Sequence, residues 1–317
     1  MEQTSLKFAT QIDFKSSEFV DLDNHISQTG VLPLVHIKNG IIRPLGSCFS
    51  ITSDGLYMTA RHVIEEGFQL IGNERYVELD EKEQGVFGAL FISSRNHPEN
   101  PDHILGGVLE ASHVFFGANL DIALIKLSLP VHVETGEMLS PPVHQLRLSF
   151  PGIGEPFFSL GYRAMDWSKG VETNSYIADH RYSATRGQVE ELHAGGRDKS
   201  MLPFPCFRTS ARLDGGMSGG PIIDNFGRVF GVVCSSFGTS DDTDQHISYG
   251  SLIGPAMAMT LDVTDVQGGP VRKAFLWELV DGGAIAADKR GFDVERSGEN
   301  IKISIGQALT VSAKIEN

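Results

Sequence analysis

The sequence predicts an all-β protein with a short appended tail. Short apolar runs alternate with turn signals from Val31 onward, helical patterns are scarce before residue 250, and no repeat, heptad or low-complexity tract breaks the series. Taken in order, VLPLVHI, IIRPLGSCFSI and LYMTA are separated by NG and SDG, the spacing of antiparallel hairpins. LDIALIKL, PFFSLGY, GPIID, RVFGVVCSS and HISYGSLIG continue as strands, with NFG a tight turn between the third and fourth of these. Residues 92–119 and 163–200 are rich in His, Asn, Asp, Gly and charge and read as long loops. HVIEEG after His62 suggests a short helical turn. Near the end PAMAMTLDV and VRKAFLWELVDGG read as helices, the second closed by a Gly pair, and the last stretch returns to alternation as a small hairpin.

At 317 residues and 41% hydrophobic content the chain can bury a real core as one large or two ordinary domains. A balance of 26 Lys and Arg against 40 Asp and Glu gives a formal net charge of −14, which repels nucleic-acid phosphates and anionic membrane surfaces, so neither is expected as a partner. No uninterrupted apolar run is long enough to span a bilayer, and MEQTSLKFATQIDFKSSEF lacks the basic-then-apolar pattern of a signal peptide. Cys48, Cys206 and Cys234 are too few, and odd in number, for a secreted disulfide framework, which points to a reducing, cytoplasmic compartment and to thiols buried as small hydrophobes.

Residues 215–221, GGMSGGP, place one serine among four glycines, and three readings compete. A flexible surface turn is one. The G-x-S-x-G elbow of α/β-hydrolases is a second, but that serine must open a helix, whereas Ser218 is followed by GGP and a strand–turn–strand pattern. The acid and histidine would also have to follow the serine, and His246 is the only downstream histidine, crowded behind Asp241, Asp242 and Asp244. The third reading is a nucleophile loop whose backbone amides form an oxyanion hole. That order needs a histidine at a strand end and then an aspartate leading another strand. GSCFSITSDGLYMTARHV supplies His62, and ANLDIALIKL supplies Asp121.

With G-x-S-G-G-P-I these stretches resemble the trypsin-like serine peptidases of chymotrypsin fold, and most closely the bacterial HtrA-type branch. The resemblance runs from about Val31 to Leu261. It implies two six-stranded antiparallel β-barrels with a short C-terminal helix and tail, and a division into an N-terminal extension (1–30), a peptidase domain (31–261) and a C-terminal helix and small β extension (262–317). It also implies a serine endopeptidase in which Ser218 is the nucleophile, His62 its base and Asp121 the group that orients and charge-stabilises the imidazole. Amides of Gly216 and Ser218, with Met217 adding its own, would form the oxyanion hole.

Substrate contacts implied in the same way are Arg212, six positions before Ser218, which either presents positive charge to an acidic side chain or faces solvent, and Cys234, Ser235 and Ser236. The two serines would line an open wall for pairing with an extended substrate, and Cys234 would sit behind Asp121. Met217 stands where secreted relatives carry the aspartate that receives a freshly cleaved N-terminus, so activation by that route is not expected. The segment after Leu261 is shorter than the PDZ domain of HtrA proteins.

No cofactor is expected. His97, Asp102 and His103 match no zinc spacing and read as a solvated loop, and no phosphate-cradling glycine loop opens a helix. The expected partner is a protein or peptide substrate. Two further readings stay open: a latent or inactive protease-like module that binds extended peptides or a partner protein, and a component that docks with copies of itself or into a larger assembly.

Overall fold

The computed structural model describes residues 19–21, 29–38, 41–65, 86–97, 100–131, 136, 138, 140–169, 176–237, 247–264 and 270–315. It is an all-β molecule built on two closed six-stranded antiparallel barrels, with only short helices among the described residues.

The first barrel runs in the order β2 (Val31–Lys38), β3 (Ile41–Ser50), β4 (Leu56–Thr59), β7 (Ala123–Leu127), β6 (Asn100–Phe116) and β5 (Val86–His97), closing from β5 back to β2. Its strands carry apolar residues on both faces, Phe49, Met58 and Leu124 on one and Ile125 on the other, all fully excluded from solvent. Pro44 lies inside β3, a position proline tolerates at a bulge because no ladder amide is required there. The β2–β3 register does shift between Leu34 and Val35, opposite Gly46 and Pro44. The SDG turn between β3 and β4 is present, whereas the NG turn falls outside the described residues.

The second barrel consists of β9 (Pro156–Lys169), β10 (Tyr176–His193), β11 (Cys206–Thr209), β14 (Ile247–Leu252), β13 (Arg228–Phe237) and β12 (Pro221–Asp224), and the β12–β9 pairing closes it. Phe157, Phe207 and Phe230 pack edge to face or tilted at its centre. The NFG turn joins β12 to β13, with the Gly227 N–H donating to the Asp224 carbonyl at 3.0 Å. Outside the barrel, β8 (Gln145–Arg147) and β17 (Ala287–Asp288) extend the sheet by parallel pairing, and β1 (Phe19–Asp21) adds to β10.

Several expectations are corrected. Residues 92–119 and 163–200, expected as loops, contain the long hairpins β5–β6 and β9–β10. Alternation marks a strand only where one face is buried on a core. Leu160, Tyr162, Tyr182 and Ala184 are buried on the core, but the Gly, Asp, Arg and His around them in sequence mask that face. His97, Asp102 and His103 lie on the first of these hairpins rather than in a loop.

PAMAMTLDV is a 3-10 turn (Gly254–Ala258) followed by strand β15 (Thr260–Thr264), and VRKAF is strand β16 (Val271–Phe275), the two paired antiparallel. The β-branched Thr260, Val263, Thr264 and Val271 favour the strand. Only Leu276–Asp281 (α2) is helical; Glu278 accepts from the Phe275 N–H at its start, and the Gly282 and Gly283 amides close its end on the carbonyls of Glu278 and Val280. The final stretch is a three-stranded meander, β18 (Phe292–Ser297), β19 (Asn300–Ile305) and β20 (Leu309–Lys314), with Ile301, Ile303 and Ile305 turned into the core. The three cysteines are free and buried, as expected.

Candidate active site

Antiparallel pairing of β4 with β7 brings the end of one strand beside the start of the other, Thr59 opposite Ala123. The residues just past Thr59 and just before Ala123 therefore meet at one rim of the first barrel. Arg61–Glu65 forms the short helix α1, held by the buried Val63 and Ile64 and by an Arg61–Glu65 ion pair one turn apart, so the sequence-predicted turn is a helix carrying His62. Arg61 also donates to the Gly117 carbonyl and lies over the Phe116 ring, tying α1 to the segment that leads to Asp121.

Asp121 is buried, and its carboxylate grips His62 twice. Oδ2 lies 2.8 Å and Oδ1 3.0 Å from Nδ1, and Oδ1 also accepts from the His62 backbone N–H at 2.9 Å. A carboxylate that is ionised only accepts, so in this pairing Nδ1 carries the proton and Nε2 is left as the acceptor nitrogen. The ring is 36% exposed, enough to be reached by a substrate, while Asp121 is 8% exposed.

Ser218 lies on the loop between β11 and β12. The Met217 N–H donates to the Asp214 carbonyl at 3.1 Å, and Gly216 has φ of 90°, which together define a type II turn with glycine in its third position. The Met217 amide is thus committed to the turn and its side chain is fully buried, so it does not add to an oxyanion hole; the flanking amides of Gly216 and Ser218 carry that expectation. Gly219 has φ of 85°, and a Cβ there would collide with the Ser47 carbonyl and the Thr59 hydroxyl. These two glycines answer to geometry: one closes a turn and the other lets the loop lie directly on the first barrel.

The loop and α1 converge on Gly46, where a Cβ would stand 2.7 Å from the Ser218 carbonyl oxygen and 2.9 Å from the Val63 side chain. Gly46 therefore sits between the Ser218 loop and the helix of His62. Ser47, next to it, was not singled out by sequence reasoning. It donates its N–H to the Ser218 carbonyl at 2.7 Å and its hydroxyl to the Gly216 carbonyl at 2.9 Å. A hydroxyl on a strand carries no sequence signal of such a role.

Cys234 is buried beside Cys206 and Tyr249. Burial, and then the Asp121 carboxylate with which it hydrogen-bonds, push its thiol well above the ordinary range. Arg212 is half-buried and donates to Asp214 at 2.6 Å, so its charge is compensated rather than offered alone. Ser235 and Ser236 pair with Tyr249 and Ser248 of β14, whereas the pairings of β13 with β12 and β8 lie further back, at residues 228–232. Among the described residues no His, Cys, Asp and Glu cluster has the makings of a metal site.

Comparison with solved structures gives matches of shape at low identity. The MamO protease domain from Magnetospirillum magneticum shares 12% identity over 72% of this chain and 94% of its own, with a TM-score of 0.42. The active form of the Rv3671c protease from M. tuberculosis shares 19% over 72% and 78%, also at 0.42, and its inactive form 18% over 72% and 86% at 0.39. No curated protein matches. Residues 46–232, more than half of the chain and containing His62, Asp121 and Ser218, match the trypsin-like peptidase domain, and the chain belongs to that family.

Proposed function

We propose that the chain is a serine endopeptidase with the triad Ser218, His62 and Asp121. The observation that carries this reading is the doubly bonded His62–Asp121 pair, which fixes the tautomer a general base requires, at the seam where the Ser218 loop meets α1. A serine hydroxyl is a weak nucleophile at neutral pH and needs such a base.

In the forward step Ser218 Oγ bonds to the scissile carbonyl carbon while His62 Nε2 takes the hydroxyl proton, and Asp121 stabilises the resulting imidazolium. The carbonyl oxygen becomes an oxyanion facing the Gly216 and Ser218 amides. Collapse breaks the C–N bond as the amine leaves with the proton from His62, and water, deprotonated by the same imidazole, then releases the acid from Ser218. The edge of β13 at Ser235–Phe237, paired to β14 on one side, suits main-chain pairing with an extended substrate. Arg212, compensated by Asp214, makes a poor anchor for an acidic side chain.

A fluorophosphonate probe tests this reading. Wild type is expected to gain one adduct mass, mapped to Ser218, while Ser218→Ala and His62→Ala gain none. A folded wild type that stays unlabelled overturns it in favour of a binding module.

A further inference from the structure

We propose that Ser47 is the positioning residue of the oxyanion-binding loop, acting through the carbonyls of the two residues whose amides would hold the oxyanion. This rests on the serine peptidase reading of the same site.

Ser47 lies on β3, in the first barrel, and is fully buried. Its N–H donates to the Ser218 carbonyl (2.7 Å) and its Oγ to the Gly216 carbonyl (2.9 Å), so one residue grips both ends of the Gly216–Met217–Ser218 segment. The hydroxyl is not free to turn away. The Tyr162 N–H, from β9 of the second barrel, donates to Oγ at 2.9 Å, and since an amide can only donate, the single hydroxyl proton is left for Gly216. The Ser47 carbonyl in turn accepts from the Thr59 hydroxyl at 2.7 Å, at the end of the strand that leads to His62.

Ser47 is therefore fastened to both barrels, and through it the loop of the nucleophile is registered against the strand of the base. The loop needs such a fastening because Gly216, at φ of 90° and without a side chain, has no rotamer of its own to hold its plane. An oxyanion exists only after attack, so loosening its donors lowers kcat while leaving ground-state binding in place.

The variants are Ser47→Ala and Ser47→Cys. Alanine leaves a small void and cysteine, with a larger sulfur and a weak thiol donor, overfills the site, so a like loss in both separates the lost hydrogen bond from either change of packing. With a peptide p-nitroanilide as substrate, both folded variants are expected to lose about 10–100-fold in kcat, somewhat less than direct removal of an oxyanion donor, with KM held within about threefold. Affinity for a peptide boronate, which forms a tetrahedral adduct on the serine, should fall in proportion to kcat. A folded Ser47→Cys variant with kcat within twofold of wild type, or a loss confined to KM, overturns the proposal.

If wild type neither turns over nor labels, it is the peptidase reading that fails. The placement of Ser47 is then judged by crystal structures of wild type and Ser47→Ala: rotated Gly216 and Ser218 carbonyls in the variant uphold it, and unmoved ones overturn it.

Discussion

In the first barrel the two titratable groups of the site meet through their side chains, His62 on Asp121 at 2.8 Å, each carried on a short segment beyond a strand end. The Ser218 loop of the second barrel is held mostly through main-chain atoms, the Gly219 N–H on the Val233 carbonyl, the Gly220 N–H on the Met217 carbonyl and the Ser47 N–H on the Ser218 carbonyl, with the Ser47 hydroxyl on the Gly216 carbonyl as its side-chain tie to the first barrel. Two halves of one site are thus fixed by different means. A side-chain pair fixes His62, and backbone conformation largely fixes the Ser218 loop. The His62–Asp121 half should then fail mainly through lost charge, and the Ser218 half through bulk added at its glycines or loss of the side-chain bond from Ser47.

The sharpest test on the base side is Asp121→Asn. The amide offers an N–H where the carboxylate accepted, so it favours the wrong imidazole tautomer and leaves the imidazolium without a counter-charge. The expected loss in kcat is about 10³–10⁴-fold with the fold intact. A variant within tenfold of wild type would remove Asp121 from the mechanism.

On the nucleophile side, Gly219→Ala adds one methyl group and no charge. It forces a left-handed φ on alanine and drives a Cβ into the Ser47 carbonyl and the Thr59 hydroxyl, both backed by hydrogen-bonded strand. The strain alone is of order 1–3 kcal/mol, and the collision adds to it. We expect a lower melting temperature together with loss of fluorophosphonate labelling. Unchanged labelling would mean that the loop has room it is not shown to have.

This difference also explains what was legible in the sequence. His62, Asp121 and Ser218 stood out because reactive side chains follow strand ends in a telling order, and GGMSGGP because glycine runs answer to backbone geometry. Both barrels followed from that resemblance more than from periodicity. Ser47 escaped notice because its role lies in which carbonyls its atoms face, a relation among β3, β9 and the nucleophile loop that no local pattern encodes. The commitment of the Met217 amide to a turn was hidden for the same reason. The β5–β6 and β9–β10 hairpins are hard to read because their core-facing residues, such as Leu109, Ala111, Tyr162, Tyr182 and Ala184, are interleaved with Gly, His, Asn, Asp and charge that signal turns, and β16 because VRKAF runs straight into a helix and borrows its period.

The seam behind the base half offers a pH test. His144 is buried, its ring packs edge-on against Phe49, and its backbone N–H donates to the Ser50 carbonyl. Burial holds its pKa down to about 4, only partly offset by a hydrogen bond to the Thr29 backbone. A histidine whose pKa is depressed on folding is neutral in the native state, and the unfolded chain binds the extra proton between about 4 and 6.5. Stability from this group is therefore complete above pH 6.5 and lost as pH falls toward 4, on the order of 3 kcal/mol across the window. His144→Gln should flatten that part of the stability curve in denaturant titrations at pH 4, 5, 6 and 7. An unchanged slope would show that other groups set it.

The smallest effect expected is at Cys234, where the two halves touch, since this residue of the second barrel supports the aspartate of the first. Its thiol is buried and its ionisation disfavoured, so thiol-alkylating reagents should leave fluorophosphonate labelling of the native protein unchanged, and rapid loss of labelling would contradict that burial. Cys234→Ser keeps a donor toward Asp121 and strengthens it, whereas Cys234→Ala removes it and leaves the buried carboxylate one partner short. The expected order of kcat/KM is serine at or above wild type, then alanine, all within about tenfold because the two bonds from His62 still hold Asp121 in place. If alanine equals serine, Cys234 only fills space, and Asp121 is held from the first barrel alone.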